Sequence, residues 1–244
     1  MSTAYTGTGS EAAALLEQSR ISGARLSSAL YDILKSRLLE GRYGAGEKIV
    51  VEAIRQEFGV SKQPIMDALR RLSSDKLVHI VPQVGCEVVA YSEREVEDFY
   101  TLFGGFEGTI AAVAADRRTE AQLLELDLIS SRVDALAEST DPVVRAHGYR
   151  VHNREFHAAI HTMAHSRIMA ETSQRMWDLS DFLINTTGIT NPLSSALPDR
   201  QHDHREITEA LRNRDAAGAR MAMERHIVGT IAVIRNESSA SAVS

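Results

Sequence analysis

Residues 57–72 read EFGVSKQPIMDALRRL, and the meaning of this stretch decides how the N-terminal third of the chain folds. Ala53, Ile54 and Phe58 give a short helical pattern that Gly59 ends, because glycine takes the left-handed conformation that closes a helix at little cost. Only Val60 separates it from Ser61, a good N-cap. Pro64 then falls in the first turn of the next helix, where a missing N–H costs little. That helix is expected from about Lys62 to Ser73. Ile65, Ala68, Leu69 and Leu72 share its inner face, while Lys62, Gln63, Met66 and Arg70 point outward. Two short helices joined by so tight a turn, with polar side chains leading the second, describe a helix-turn-helix.

The flanks complete a small module. Upstream, Leu26, Leu30, Ile33, Leu34 and Leu38 recur at helical spacing up to Gly41, where EGRYGAGEKI breaks the pattern and an extended Val50-Val51 step follows. Downstream, LVHIV (77–81) and CEVVA (86–90) are β-prone runs separated by Pro82, Gln83, Val84 and Gly85, which reads as a hairpin. Three helices and a hairpin over residues 23–90 make a winged helix-turn-helix. The first 22 residues lack a basic start and a long apolar run, so they read as a lead-in that is disordered or helical only near Glu11, not as a signal peptide.

Composition divides the chain. The formal net charge is -6, which by itself argues against nucleic-acid binding. Yet residues 20–90 carry 11 Lys and Arg against 8 Asp and Glu, whereas residues 91–244 carry 16 against 23. All four lysines, Lys35, Lys48, Lys62 and Lys76, lie in the first part, and eight of the nine histidines lie after His79. A polyanion-facing head and an acidic module with another task are implied. No run is long and apolar enough for a membrane span. The single cysteine, Cys86, cannot form an internal disulfide and fits a reducing cytoplasm, as an inert buried thiol.

From Ser92 onward caps and breakers divide the text into six helices, about 92–116, 119–138, 141–164, 167–187, 199–213 and 215–236. The expected fold is therefore mainly α, a winged helix-turn-helix followed by a six-helix antiparallel bundle over 91–236, with a disordered tail over 237–244. Residues 186–199, TTGITNPLSSALPD, form its one long loop, read as a plain connection or a lid. Bundles place ligand and metal sites between facing helices. HNREFHAAIHTMAHS sets Asn153, His157, His161 and His165 four residues apart on one helical stripe, HDHREI adds His202 and His204, and the last helix adds His226. Neutral imidazoles from facing helices can wrap a divalent cation. Spacing alone does not choose among them, and a chance scatter stays open.

LYDILKSRLLEGRYGAGEKI and FGVSKQPIMDALRRLSSDKLVHIVPQVGCEVV together resemble the winged helix of the GntR family. The resemblance implies DNA contacts from Ser61, Lys62, Gln63, Met66, Arg70, Gln83 and Gly85. Family members usually carry arginine at the positions of Lys62 and Met66, and often a basic residue at those of Glu52 and Gln83. Lys62 lacks the planar fork that reads guanine, Met66 offers apolar contact, and Gln63 could read adenine, so an altered half-site is expected. The helical tail resembles the FCD effector domain of the FadR-type subgroup. Carried over residue by residue, that resemblance implies a metal held by Asn153, His157 of Phe156-His157, His204 of HREI and His226 of ERHIV. Asn153 stands where members carry aspartate. Zinc, nickel and manganese all suit such a set. Phe103 occupies a position where many members carry an arginine that holds a carboxylate effector, and Arg150, one turn before Asn153, is the candidate substitute.

The leading expectation is a cytoplasmic, metabolite-responsive repressor, a homodimer on a pseudo-palindromic double-stranded operator, that senses a small molecule such as an organic acid and is not an enzyme. A helical domain that only dimerises, without a ligand, is the second reading. A histidine-metal hydrolase, with Glu155 or His161 as base, is the third.

Overall fold

Leu30, Leu34 and Leu38 are all buried along one face of helix α1 (Gly23–Leu39), and their spacing is what makes this segment a helix that packs on α3 (Lys62–Ser74). The computed structural model describes residues 23–81, 85–189 and 191–241. The expected lead-in over 1–22, the wing tip over 82–84 with Gln83, and residues 242–244 lie outside the described residues.

The chain divides into two units. The first takes in residues up to Tyr91 together with 181–188. Its helix α2 (Val51–Phe58) closes on Gly59 in the left-handed conformation, φ 62°, whose N–H bonds to the Arg55 carbonyl. Ile65, Ala68, Leu69 and Leu72 are fully buried on α3, each large side chain contributing roughly 1.5–3 kcal/mol by leaving water. The sheet differs from the expected hairpin. Strands β2 (Val78–Val81) and β3 (Gly85–Val88) pair antiparallel, but β1 (Lys48–Ile49) adds to the free edge of β3, in the order β1-β3-β2. A two-residue strand is too short to show alternation, which is why the pattern alone omits it. Val50 is extended, but Val51 already opens α2, so the expected two-residue extended step is one residue long. Val78, Cys86, Val88 and Ile49 line the buried face of the sheet; His79 is exposed. Burial pushes the Cys86 thiol up to about 11, which leaves it protonated and inert at neutral pH.

Within the same unit, Asn185 Nδ2 donates to the Leu39 carbonyl at 2.9 Å, where α1 ends. Gly41, at φ 69°, lies against it, and a Cβ there would meet the Asn185 carbonyl oxygen at 2.5 Å. Only glycine satisfies both the left-handed backbone and that approach.

The second unit contains α4 (Glu93–Arg117), α5 (Glu120–Ala137), α6 (Pro142–Met163), most of α7 (Arg167–Asn185), α8 (Leu197–Arg212) and α9 (Ala216–Ser241). Full capping boxes open two of them, Ser92 with Glu95 and Thr119 with Gln122, and Asp141 caps the Pro-started α6. Gly104 and Gly108 let α4 lie against α9, and α5 packs on α6 and α8. Two expectations need correction. Residues 237–241, expected as a disordered tail, continue α9, and Glu237 bonds back to the Leu193 N–H and the Ser195 hydroxyl. His165, expected on the helical stripe, lies beyond the end of α6 at φ 48° and is exposed. Among the described residues no helix is long and apolar enough to cross a membrane.

Candidate functional site

The first site is the exposed end of α3. Ser61 is extended and exposed, and its side chain makes no capping bond, so the hydroxyl is not used by the helix it precedes. Lys62 and Gln63 are exposed in the first turn, Met66 is half-buried, and Arg70 is exposed one turn further on. Asp67 joins them: Gln63 Nε2 donates to its Oδ1 at 3.1 Å, and Arg70 donates to the same oxygen at 2.5 Å. Two side chains expected to reach outward are thus oriented by a carboxylate that lies between them on the helix surface, at spacings of four and three residues. Gly85 is exposed at φ 143°, at the start of β3. The helix N-terminus and Lys62 present positive potential there, which suits phosphate.

The second site lies within the helical unit. His157 on α6, His204 on α8 and His226 on α9 each offer a ring nitrogen, and these atoms lie within 4.8 Å of one another. All three rings are buried, at 1%, 0% and 2% exposure. Ring centroids are 5.3 Å apart for His157 and His226 and 4.7 Å for His204 and His226. Both nitrogens of His157 and of His204 lack a hydrogen-bond partner, and so does the buried Oδ1 of Asn153, one turn before His157. An unsatisfied buried polar group costs about 1–3 kcal/mol. A neutral imidazole carries one lone pair and one N–H, so a cation that took one nitrogen of each ring and the Asn153 oxygen would satisfy three of these five atoms, and the donor set fits a metal.

Aromatic rings wall the cluster. Phe156 stacks on His204 at 4.1 Å, Tyr149 lies beyond that ring, and Trp177 tilts over His157 at 4.3 Å. Burial, reinforced by the neighbouring histidines, holds His157 well below the usual imidazole range. Burial likewise lowers His204 and His226, so all three are neutral and ready to ligate. His226 Nδ1 faces Asp203 Oδ2 at 3.1 Å, and Arg200 donates to that carboxylate at 2.8 Å and to the His226 carbonyl at 2.8 Å. A carboxylate on Nδ1 leaves Nε2 free as donor.

The remaining expected residues fall elsewhere. Phe103 is fully buried, stacked on Phe99 and edge-on to Trp177, so it enters the site only as the ring behind Trp177. Arg150 is half-buried, and no ion pair joins it to a described residue. Arg154 is the α6 arginine that reaches the aromatic wall, lying 5.5 Å from the Trp177 ring and donating to Asp178 at 2.6 Å. His202 and His165 are exposed. Glu155 accepts from His152 and Arg132, and His161 bonds to Glu107, so each expected base is engaged by another side chain.

Comparison with known proteins bears on both sites. The model of the FCD domain matches residues 98–229, and that of bacterial regulatory proteins of the gntR family matches residues 26–88. The chain belongs to the GntR family, with an FCD domain. It is a DNA-binding transcriptional regulator. Among curated relatives, the HTH-type transcriptional repressor GlaR of Escherichia coli is 25% identical over 209 residues, covering 84% of this chain and 94% of GlaR. The HTH-type transcriptional regulator McbR of the same species is 22% identical, covering 82% and 89%. The solved E. coli McbR/YncC has the same fold, with a TM-score of 0.70 at 19% identity, covering 86% of this regulator and 97% of that chain. A putative GntR regulator from Rhodococcus sp. RHA1 aligns at a TM-score of 0.67, 16% identity and the same coverage.

Sequence reasoning about the regulator missed Asp67, Glu107, Arg200 and Asp203, all charged groups that build its two sites. Asp203 stands beside His204 in RQHDHRE, with Arg200 three residues before it, a spacing that allows one helical face to carry both. That signal was available. Glu107 had none, for a lone acid in an α4 text of glycines and alanines reads as surface.

Proposed function

We propose that this regulator is a metabolite-responsive repressor that binds a pseudo-palindromic operator as a homodimer in the cytoplasm. Its helical unit holds a divalent metal through Asn153, His157, His204 and His226. Ser61, Lys62, Gln63, Met66, Arg70 and Gly85, with Gln83 of the wing tip, form its DNA-contacting surface. The reading rests on one observation: buried nitrogens of His157 and His204 and the Asn153 oxygen are left without partners. GlaR, a relative along most of the chain, is named a transcriptional repressor.

A bound divalent ion would supply Lewis-acid attraction for an anionic oxygen of the effector. The chain supplies the rest. Three neutral imidazoles hold their lone pairs inward, Asp203 and Arg200 fix the ring of His226, and Phe156, Trp177 and Tyr149 keep water from the donors. With phenylalanine at position 103, the effector's acid group has no arginine on that face of α4, and a small organic acid would rely on the metal for its charge.

Elemental analysis of protein purified without chelator should find about one zinc, nickel or manganese per chain, falling sharply in His204→Ala. Footprinting upstream of its own or a neighbouring gene should show a protected inverted repeat that small carboxylates modulate in the loaded protein only. Absence of stoichiometric metal would leave the domain a dimerisation element and overturn the sensor reading.

A further inference from the structure

Glu107 is the least expected side chain in the helical unit. It sits on α4 one turn after Phe103 and is fully buried. His161 Nε2 donates to its Oε2 at 2.9 Å, and the Ser173 hydroxyl donates to Oε1. Its Oε2 also lies 3.8 Å from Nδ1 of His157. All of these neighbours can donate, which is what an ionised, acceptor-only carboxylate requires. Yet among the described residues no lysine or arginine pairs with it. His161 can counter its charge only when protonated, and a buried carboxylate without a permanent cation is costly to a fold.

The donor cluster has the opposite deficit. One amide oxygen and three neutral imidazoles bring no negative charge, so a divalent ion held by them would keep its whole charge inside the protein. A buried carboxylate that no arginine or lysine pairs among the described residues therefore lies 3.8 Å from a ligand of a cation site whose donors carry no charge and whose neighbouring carboxylate, Asp203, is already paired with Arg200.

We propose that Glu107 is the anion of the metal centre. It is held by His161 and Ser173, it acts through His157, and it supplies the negative charge that Asn153 does not. Glu107 is a positioning residue rather than a ligand. Its carboxylate faces the Nδ1 edge of His157 at 3.8 Å, beyond hydrogen-bond length, and acts through space to favour the tautomer with hydrogen on Nδ1 and the lone pair on Nε2, whereas Asp203 bonds His226 directly. The inference rests on the metal reading above and adds to it a residue outside the donor set.

The test uses the full chain, stripped by chelator and titrated with zinc and with cobalt, the cobalt absorption spectrum reporting the ligand field. Glu107→Gln should still bind one ion per chain but about ten- to a hundredfold more weakly, with a shifted cobalt spectrum. Glu107→Asp should recover part of that loss. Asn153→Asp should tighten binding, and the Glu107→Gln/Asn153→Asp pair should return near the wild-type affinity. The metal-free Glu107→Gln protein should melt close to the metal-free wild type, because the carboxylate's proposed role is exerted on the bound ion.

Wild-type affinity and spectrum in Glu107→Gln would overturn the proposal. So would a fall in melting temperature as large without metal as with it, which would make Glu107 a structural hydrogen-bond hub. Should Glu107→Gln fail to fold, Glu107→Asp decides alone, since wild-type affinity and spectrum with the carboxylate drawn back from His157 would overturn the proposal. Failure of the wild-type protein to bind either ion would bring down the metal reading itself, before any substitution is made.

Discussion

Imidazole can sit neutral in a core at pH 7 and offer a nitrogen lone pair to a metal, and His157, His204 and His226 are held in that state by burial. Lowered folded-state pKa values give a definite sign. Above the ordinary histidine value of 6.5 both folded and unfolded chains leave the three rings neutral, and stability is unaffected. As the pH falls below it, the unfolded chain takes up protons that the folded chain does not, so metal-free protein loses stability at up to about 4 kcal/mol per pH unit for three rings. Urea unfolding of chelated protein between pH 7.5 and 5 should show this loss, and His204→Gln should flatten it. An unchanged midpoint would mean the rings protonate inside the fold. At this scale the sequence was only half legible. Eight histidines fall in the helical text, and spacing could not separate His157 from His165; the family resemblance narrowed them. The charged groups behind them were hidden, because burial of Glu107 is a property of the helices packed around it and not of its neighbours in the chain.

Elements were easier to read than residues where a period could run. The inner faces of α1 and α3 were visible from leucine and isoleucine spacing, and the caps at Ser92 and Thr119 marked the starts of α4 and α5 within a residue. Strand β1 was not visible, since two residues show no alternation, and α9 outran its expected end because its last turns carry Ser and Ala without an apolar stripe. Glycines on α4 separate packing from propensity. A Cβ at Gly108 would meet the Arg220 carbonyl oxygen at 2.9 Å, a backbone atom of α9 that cannot swing aside, whereas one at Gly105 meets nothing within 4 Å. Alanine improves helix propensity by about 1 kcal/mol at either position. At Gly105 that gain stands alone, so Gly105→Ala should raise the melting temperature by a few degrees. At Gly108 the overpacking, typically 1–3 kcal/mol, outweighs it. Gly108→Ala should therefore melt lower than wild type, by calorimetry, and equal melting of both variants would show that α4 and α9 can separate without cost.

For the whole molecule, the charge balance raises a difficulty that DNA binding must overcome. A chain of net charge -6 approaches a polyanion, so attraction has to come from a few cations at short range, within about a Debye length of 8–10 Å. Most arginines of the head are already engaged: Arg37 with Glu57, Arg42 with Glu40, Arg55 with Glu52 and Arg70 with Asp67. Lys62, exposed at the start of α3, pairs with no carboxylate among the described residues, so its charge is free for phosphate or for a base edge. These two uses separate experimentally. Each phosphate that is neutralised steepens the fall of log K with log salt by about 0.9. If Lys62 contacts phosphate, Lys62→Gln should flatten the salt slope by about 0.9 per head and weaken binding to every sequence alike. If it reads a base, the substitution should relax preference at one position of each half-site and still cost affinity on the best site. Its place beside Gln63 in the first turn, where recognition helices meet base edges, favours the second outcome. Anisotropy titrations at 50–200 mM salt on the selected operator and on single-base variants measure both quantities. A variant that matches wild type in slope and preference would show that Lys62 stays in solvent and that the wing or the later turns of α3 carry recognition.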